Sequence, residues 1–184
     1  MKNFKVKDLM IPVEEYNRVT KKTTLFEALL HLEQLDEEQK QLHPHRDLLV
    51  EDEEGNIVGK ITMLDIFKHM EPAYFKMDNK HSPNSLNTDF VQKIYRDFNL
   101  WSEPLDSLCR KNAVATVEEI MHRPEGAEIL DEDDSIDKAL HAFVLGVHQP
   151  LLVRKNGRIT GVIRLGDAFD KVRSAVLACE GDIA

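Results

Sequence analysis

Gly59, Thr62 and Asp65 stand at a spacing, Gly-x-x-Thr-x-x-Asp, that could hold a phosphorylated ligand bearing paired hydroxyls. A glycine lets a ligand approach the backbone closely. A threonine hydroxyl at the start of a helix, together with the helix N-terminus itself, offers donors to a phosphate. A carboxylate accepts only, which suits two neighbouring hydroxyls such as those of a ribose. The same three residues also have a purely structural use. Threonine followed three residues later by an acid is close to a capping box, with aspartate in place of Glu or Gln, and a cap requires no ligand.

The phrase that carries these residues is written twice. "GKITMLDIF", from Gly59, returns as "GVIRLGDAF", from Gly161, so that Gly161 and Asp167 repeat Gly59 and Asp65 while Arg164 replaces Thr62. A guanidinium cannot serve as a short hydroxyl cap, but it brings five donors and a permanent charge. Two uses remain open for it: Arg164 binds a phosphate or carboxylate in a cleft, or its bulk and a local ion pair close the second site.

Other parts of the chain repeat in the same order. "VKDLM" at Val6 is echoed by "VEEIM" at Val117, with Pro12 and Pro124 close behind; "TLFEAL" at Thr24 is echoed by "SIDKAL" at Ser135; and "LLV" at Leu48 by "LLV" at Leu151. The helical phrases are offset by 111 residues and the glycine phrases by 102, so the first copy carries nine extra residues between Leu29 and Leu48, placed by their polarity in "EQLDEEQKQLHPHR". Thr24 and Glu27 form a capping box ahead of an apolar helical face of Leu25, Ala28, Leu29 and Leu32. Apolar runs around Gly-Asn and Asn-Gly turns predict a hairpin in each copy, and the period then becomes helical. Each copy thus reads as strand, helix, strand, strand, helix. Units this small bury little surface alone, so two copies packing their sheets together is the expected arrangement.

Residues 1–70 form the first repeat and 114–184 the second, with 71–113 as a helical connecting insertion that has no echo. In it, Asn87 or Thr88 could cap a helix whose stripe of Phe90, Val91, Ile94 and Phe98, with Trp101, is expected to cover exposed core; a surface for a partner is the alternative reading.

This order of elements, the leading V-x-x-[LI]-M with its nearby proline and, above all, the hairpin ending in Gly-x-x-Thr-x-x-Asp resemble the CBS domain, named after cystathionine β-synthase. The resemblance covers both copies, and two in tandem look like a CBS pair, or Bateman module. It implies an α/β fold with α+β character: two pseudo-symmetric repeats with small packed sheets flanked by helices. It also implies an adenosine-containing ligand, AMP, ADP, ATP or S-adenosylmethionine, with Asp65 on the ribose and Thr62 on the phosphate. Gly161, Arg164 and Asp167 would mark an unequal second cleft. Met63 and Leu64 stand where the family often has basic residues, so phosphate affinity from that loop is expected to be modest. A regulatory, energy-sensing homodimer acting on an unidentified effector protein is the implied role.

Composition sets outer bounds. The 184 residues are 42% hydrophobic and 31% charged, an ordinary globular balance. A net charge of −9 with no basic patch argues against nucleic acid or an anionic membrane as partner. No secretory leader or membrane span is read, and Cys109 and Cys179 fit free thiols in the cytoplasm. His43 and His45 lack further ligands at metal-site spacing, and His148 could line a cleft or sit at a strand edge. The run of Asp133, Asp134 and Ser135 fits a helix start better than a calcium loop. No nucleophile, base and stabiliser set stands out, so no catalytic residue is expected.

Overall fold

The computed structural model of the protein describes residues 4–39, 46–76 and 87–178. His43, His45 and Cys179 lie outside them. Among the described residues there are seven α-helices and two small sheets. The first copy runs β2 (Arg18–Thr20), α1 (Leu25–Gln39), β3 (Leu48–Glu51), β4 (Ile57–Ile61) and α2 (Met63–Met70). The second runs β5 (Ile129–Asp131), α6 (Ile136–Val144), β6 (Leu151–Lys155), β7 (Arg158–Ile163) and α7 (Leu165–Ala178), so both copies have the expected order. Between the copies lie α3 (Thr88–Asp97) and α4 (Leu105–Asn112), while β1 (Ile11–Pro12) follows the leading turn of the first copy and α5 (Val117–Ile120) is the leading turn of the second. The sheets have the orders β2-β3-β4 and β1-β7-β6-β5. No helix among the described residues is long and apolar enough to cross a membrane.

The compact units do not follow chain order. One comprises Met1–Arg18, Leu48–Lys60 and Arg123–Ala184; the other comprises Val19–Asp47 and Ile61–His122. In the first unit β5 and β6 are parallel, β6 and β7 form an antiparallel hairpin, and β1 adds antiparallel to β7 with Ile11 opposite Val162 and Pro12 opposite Gly161. Leu49 of β3 packs with Leu152 of β6, Val162 of β7, Val13 and Tyr16, which gives one buried layer between the strands. A second layer joins Val6 to Ile136, Ala139 and Phe143 of α6, Leu151, Val153, Ile163 and Ala168.

Backbone hydrogen bonds explain the crossing. The turn of "VKDLM" docks on the start of α6: Val6 N donates to Asp134 O (2.8 Å), Lys7 N to Glu132 O (3.0 Å) and Ile136 N to Phe4 O (3.1 Å). In the other unit the echo of that turn docks on the start of α1, with Val117 N donating to Thr23 O (2.8 Å) and Leu25 N to Ala115 O (2.8 Å). Each copy's leading turn therefore belongs to the other copy's helix. The arrangement satisfies donors that a helix start would otherwise leave unmade.

Local signals settle the helix ends. Thr24 N and Thr24 Oγ1 both donate to Glu27 Oε2 (2.8 Å each), and Thr116 makes the same box with Glu119. Hydrogen bonds from the threonine backbone hold both glutamates below the usual carboxylate range. Asn87 is the cap of α3, accepting from Phe90 N at 2.8 Å. Ser135 occupies the cap position of α6 without using its side chain, while Asp134 accepts from Asp131 N (3.0 Å). Asp133 instead takes hydrogen bonds from Lys5 and Lys7, which lower its carboxyl to about 2. The stripe on α3 covers less than its pattern suggests: Val91 and Phe98 are exposed, and the buried residue of this region is Leu100. Trp101, with φ at 55°, is held by Glu71, which accepts from its backbone N–H (2.7 Å), and by Tyr74, whose hydroxyl accepts from Nε1 (3.0 Å).

Candidate functional site

In the first copy β4 delivers the chain directly into α2, and Thr62 is the residue between them. Its backbone is extended (φ −119°, ψ 167°), as a helix cap requires. The capping box expected from the sequence is formed: Thr62 N and Thr62 Oγ1 donate to Asp65 Oδ2 at 2.9 and 2.7 Å, and Asp65 N donates back to Thr62 Oγ1 at 3.4 Å. Asp65 is 7% exposed. A carboxylate offers about four acceptor sites, so this cap does not exhaust it. Within the same unit a ring nitrogen of His122 lies within 4.8 Å of an Asp65 oxygen. His122 directly follows "VEEIM", and it reaches Asp65 because that turn docks on the other copy. Sequence reasoning passed over it. Gly59 is buried on β4, three residues before the cap.

The second copy is built differently. Arg164 Nε donates to Asp167 Oδ2 and Nη2 to Asp167 Oδ1, both at 2.7 Å, a bidentate pair across the first turn of α7. This is the local ion pair that one of the two uses left open for Arg164 requires. The side chains remain 30% and 24% exposed, at the edge of a cleft of about 400 Å³ also lined by Leu9, Ile11, Asp170, Lys171 and Ser174. Gly161 does not line it. A Cβ there would lie 2.7 Å from Met10 Sδ and 2.9 Å from Ile11 O, so the space left by this glycine is taken by β1. The close approach expected at Gly161 is thus made by the chain itself.

Sequence reasoning also missed the most deeply buried charged residue among those described. Lys60, on β4 between Gly59 and Ile61, is fully buried. Its ammonium donates to the carbonyls of His148 (2.7 Å) and Pro150 (2.8 Å) and lies 2.8 Å from Glu128 Oε2. The signal was available, because the second copy has Val162 at the same place in the phrase.

The CBS domain family model matches residues 6–72 and 117–174. The chain belongs to the CBS domain family. It carries two CBS domains in tandem, and solved structures of CBS proteins share its fold. A CBS domain-containing protein of unknown function from Bacillus anthracis str. Ames Ancestor aligns at 18% identity and TM-score 0.60, over 94% of this chain and 95% of its own. CBSX2, solved in complex with AMP, aligns at 19% and 0.57, over 95% and 98%. The CBS domain of the bacterial CNNM/CorC family Mg2+ transporter, solved in complex with ATP, aligns at 15% and 0.56, over 93% and 88%. No curated protein matches the chain. Identities this low establish the fold of the CBS pair and leave its ligand to be argued from its own residues.

Proposed function

We propose that this CBS pair is a regulatory module that binds an adenosine-containing ligand at Gly59, Thr62 and Asp65 and passes its occupancy to an effector protein by a shift between conformations. The observation that carries the reading is the buried Asp65 carboxylate beside the N-terminus of α2, which pairs an acceptor for ribose hydroxyls with donors for a phosphate. AMP in CBSX2 and ATP in the transporter's CBS domain support an adenine nucleotide as the ligand. S-adenosylmethionine shares the adenosyl part and is a competing candidate. Arg164 and Asp167 form the unequal partner: the bidentate pair uses two of the five guanidinium donors and partly neutralises the charge that a phosphate would meet there. The reading keeps residues 1–70 and 114–184 as the two ligand-forming repeats, with 71–113 as the connecting insertion. It assigns no catalytic step to the chain and sets it in the cytoplasm.

The homodimer belongs to this reading. Met63 and Phe67 on α2 and their repeats Leu165 and Phe169 on α7 are all exposed apolar residues at the same helical spacing, and sedimentation at twice the chain mass is the expected result.

Thermal unfolding with AMP, ADP, ATP and S-adenosylmethionine tests the ligand. At 100 times its dissociation constant a ligand selective for the native state adds about 2.7 kcal/mol, seen as a raised midpoint. Thr62→Ala with Asp65→Ala is expected to abolish the shift while leaving a folded protein. Retained affinity in that variant overturns the site. No shift with any ligand favours ligand-independent assembly instead, with Val91 and Tyr95 on the exposed side of α3 as its contact.

A further inference from the structure

Beside the cleft edged by Arg164 and Asp167, and sharing Lys171 and Ser174 with it, the first unit contains a recess of about 330 Å³ whose other lining residues are Phe4, Ile136, Ala168, Val172 and Ala175. This is within the size range of small-ligand sites. Its floor is hydrophobic core, since Ile136 and Ala168 are buried and Phe4 packs against the same cluster. Two local features create it. Ala168 stands where the first copy has Ile66, so a larger side chain is missing from the floor. Helix α7 also runs on to Ala178, whereas α2 stops at Met70, so Ala175 belongs to a wall the first copy does not build.

Lys171 sets the chemistry of the rim. Its ammonium sits 3.8 Å from the centroid of the Phe4 ring, and no carboxylate among the described residues pairs with it. The adjacent acid, Asp170, is paired with Arg173 at 3.0 Å. The other polar wall, Ser174, already donates its hydroxyl to Asp170 O at 2.8 Å. The recess therefore presents apolar walls and one uncompensated cation, a point charge rather than a bidentate fork. We propose that it binds a medium-chain carboxylate, with the hydrocarbon on Phe4, Ile136 and Ala168 and the carboxylate on Lys171. A nucleotide is a poor match, because the recess lacks acceptors for ribose and a second cation for phosphates. A carboxylate with an unbranched tail meets both features at once.

Calorimetry of the full chain with sodium hexanoate, octanoate and decanoate, each below its micelle concentration, tests this. Saturable binding at one per chain is expected, tightening about fourfold for each added methylene as apolar surface leaves water. Lys171→Met should weaken octanoate about tenfold, the loss typical of a hydrogen bond to a charged group. Ala175→Leu, at an exposed helix position outside the nucleotide residues, should fill the recess and abolish octanoate binding while leaving the response to AMP and ATP unchanged. The proposal is overturned if octanoate gives no saturable heat, if octylammonium binds as well as octanoate, or if both variants bind like the parent. Loss of self-association in Ala175→Leu, with no octanoate binding to the parent, would overturn it in favour of a second copy covering the recess.

Discussion

Lys60→Met is expected to lower the unfolding free energy by about 3–5 kcal/mol, the cost of breaking a buried ion pair from one side. The methionine keeps most of the stem's volume, so little of the loss is a packing effect. What disappears is one ammonium that three acceptors share: the carbonyls of His148 and Pro150 and the carboxylate of Glu128. Glu128 is only 14% exposed, and water does not readily replace the lost charge there. Adding Glu128→Gln should return part of the loss by removing the stranded carboxylate. It should not return all of it, because the two carbonyls still lack their donor. Urea unfolding with unchanged slope reads both values. A loss under about 1 kcal/mol in Lys60→Met would show that the ammonium contributes no more than a surface pair.

Such a residue shows where sequence reading stops. The repeats, the element order and the capping boxes at Thr24 and Thr62 were legible because they are local: a turn, a period and a cap each depend on neighbours within a few positions. The exchange of the leading turns was not. Val6 N finds Asp134 O, and Val117 N finds Thr23 O, across more than ninety residues of sequence, and nothing in the composition of "VKDLM" announces that separation. Once the exchange is known, His122 beside Asp65 follows from it. Comparison of the copies held a partial signal, since valine at 162 and lysine at 60 cannot occupy equivalent apolar layers without a partner for the charge. The α3 stripe shows a different limit. Its apolar period is real, and Phe90, Ile94 and Trp101 are half-buried, yet Val91 and Phe98 remain exposed, because periodicity shows that a face exists without showing what covers it.

Gly161 gives a second large effect, and one that separates two uses of glycine. Gly161→Ala is expected to cost about 1–3 kcal/mol, as overpacking a filled position does. Its new methyl would meet Met10 Sδ at 2.7 Å and Cγ at 3.0 Å, which a flexible side chain can yield. It would also meet Ile11 O at 2.9 Å, which is backbone and cannot retreat without parting β1 from β7. Met10→Ala in the Gly161→Ala background should therefore restore only part of the loss, and amide exchange should rise first at Ile11 and Val162, the residues paired across that edge. If the glycine instead existed for a ligand's approach, the alanine would weaken nucleotide binding and leave the ligand-free protein as stable as before. The strand contact predicts the reverse order of effects, with stability lost before any ligand is added.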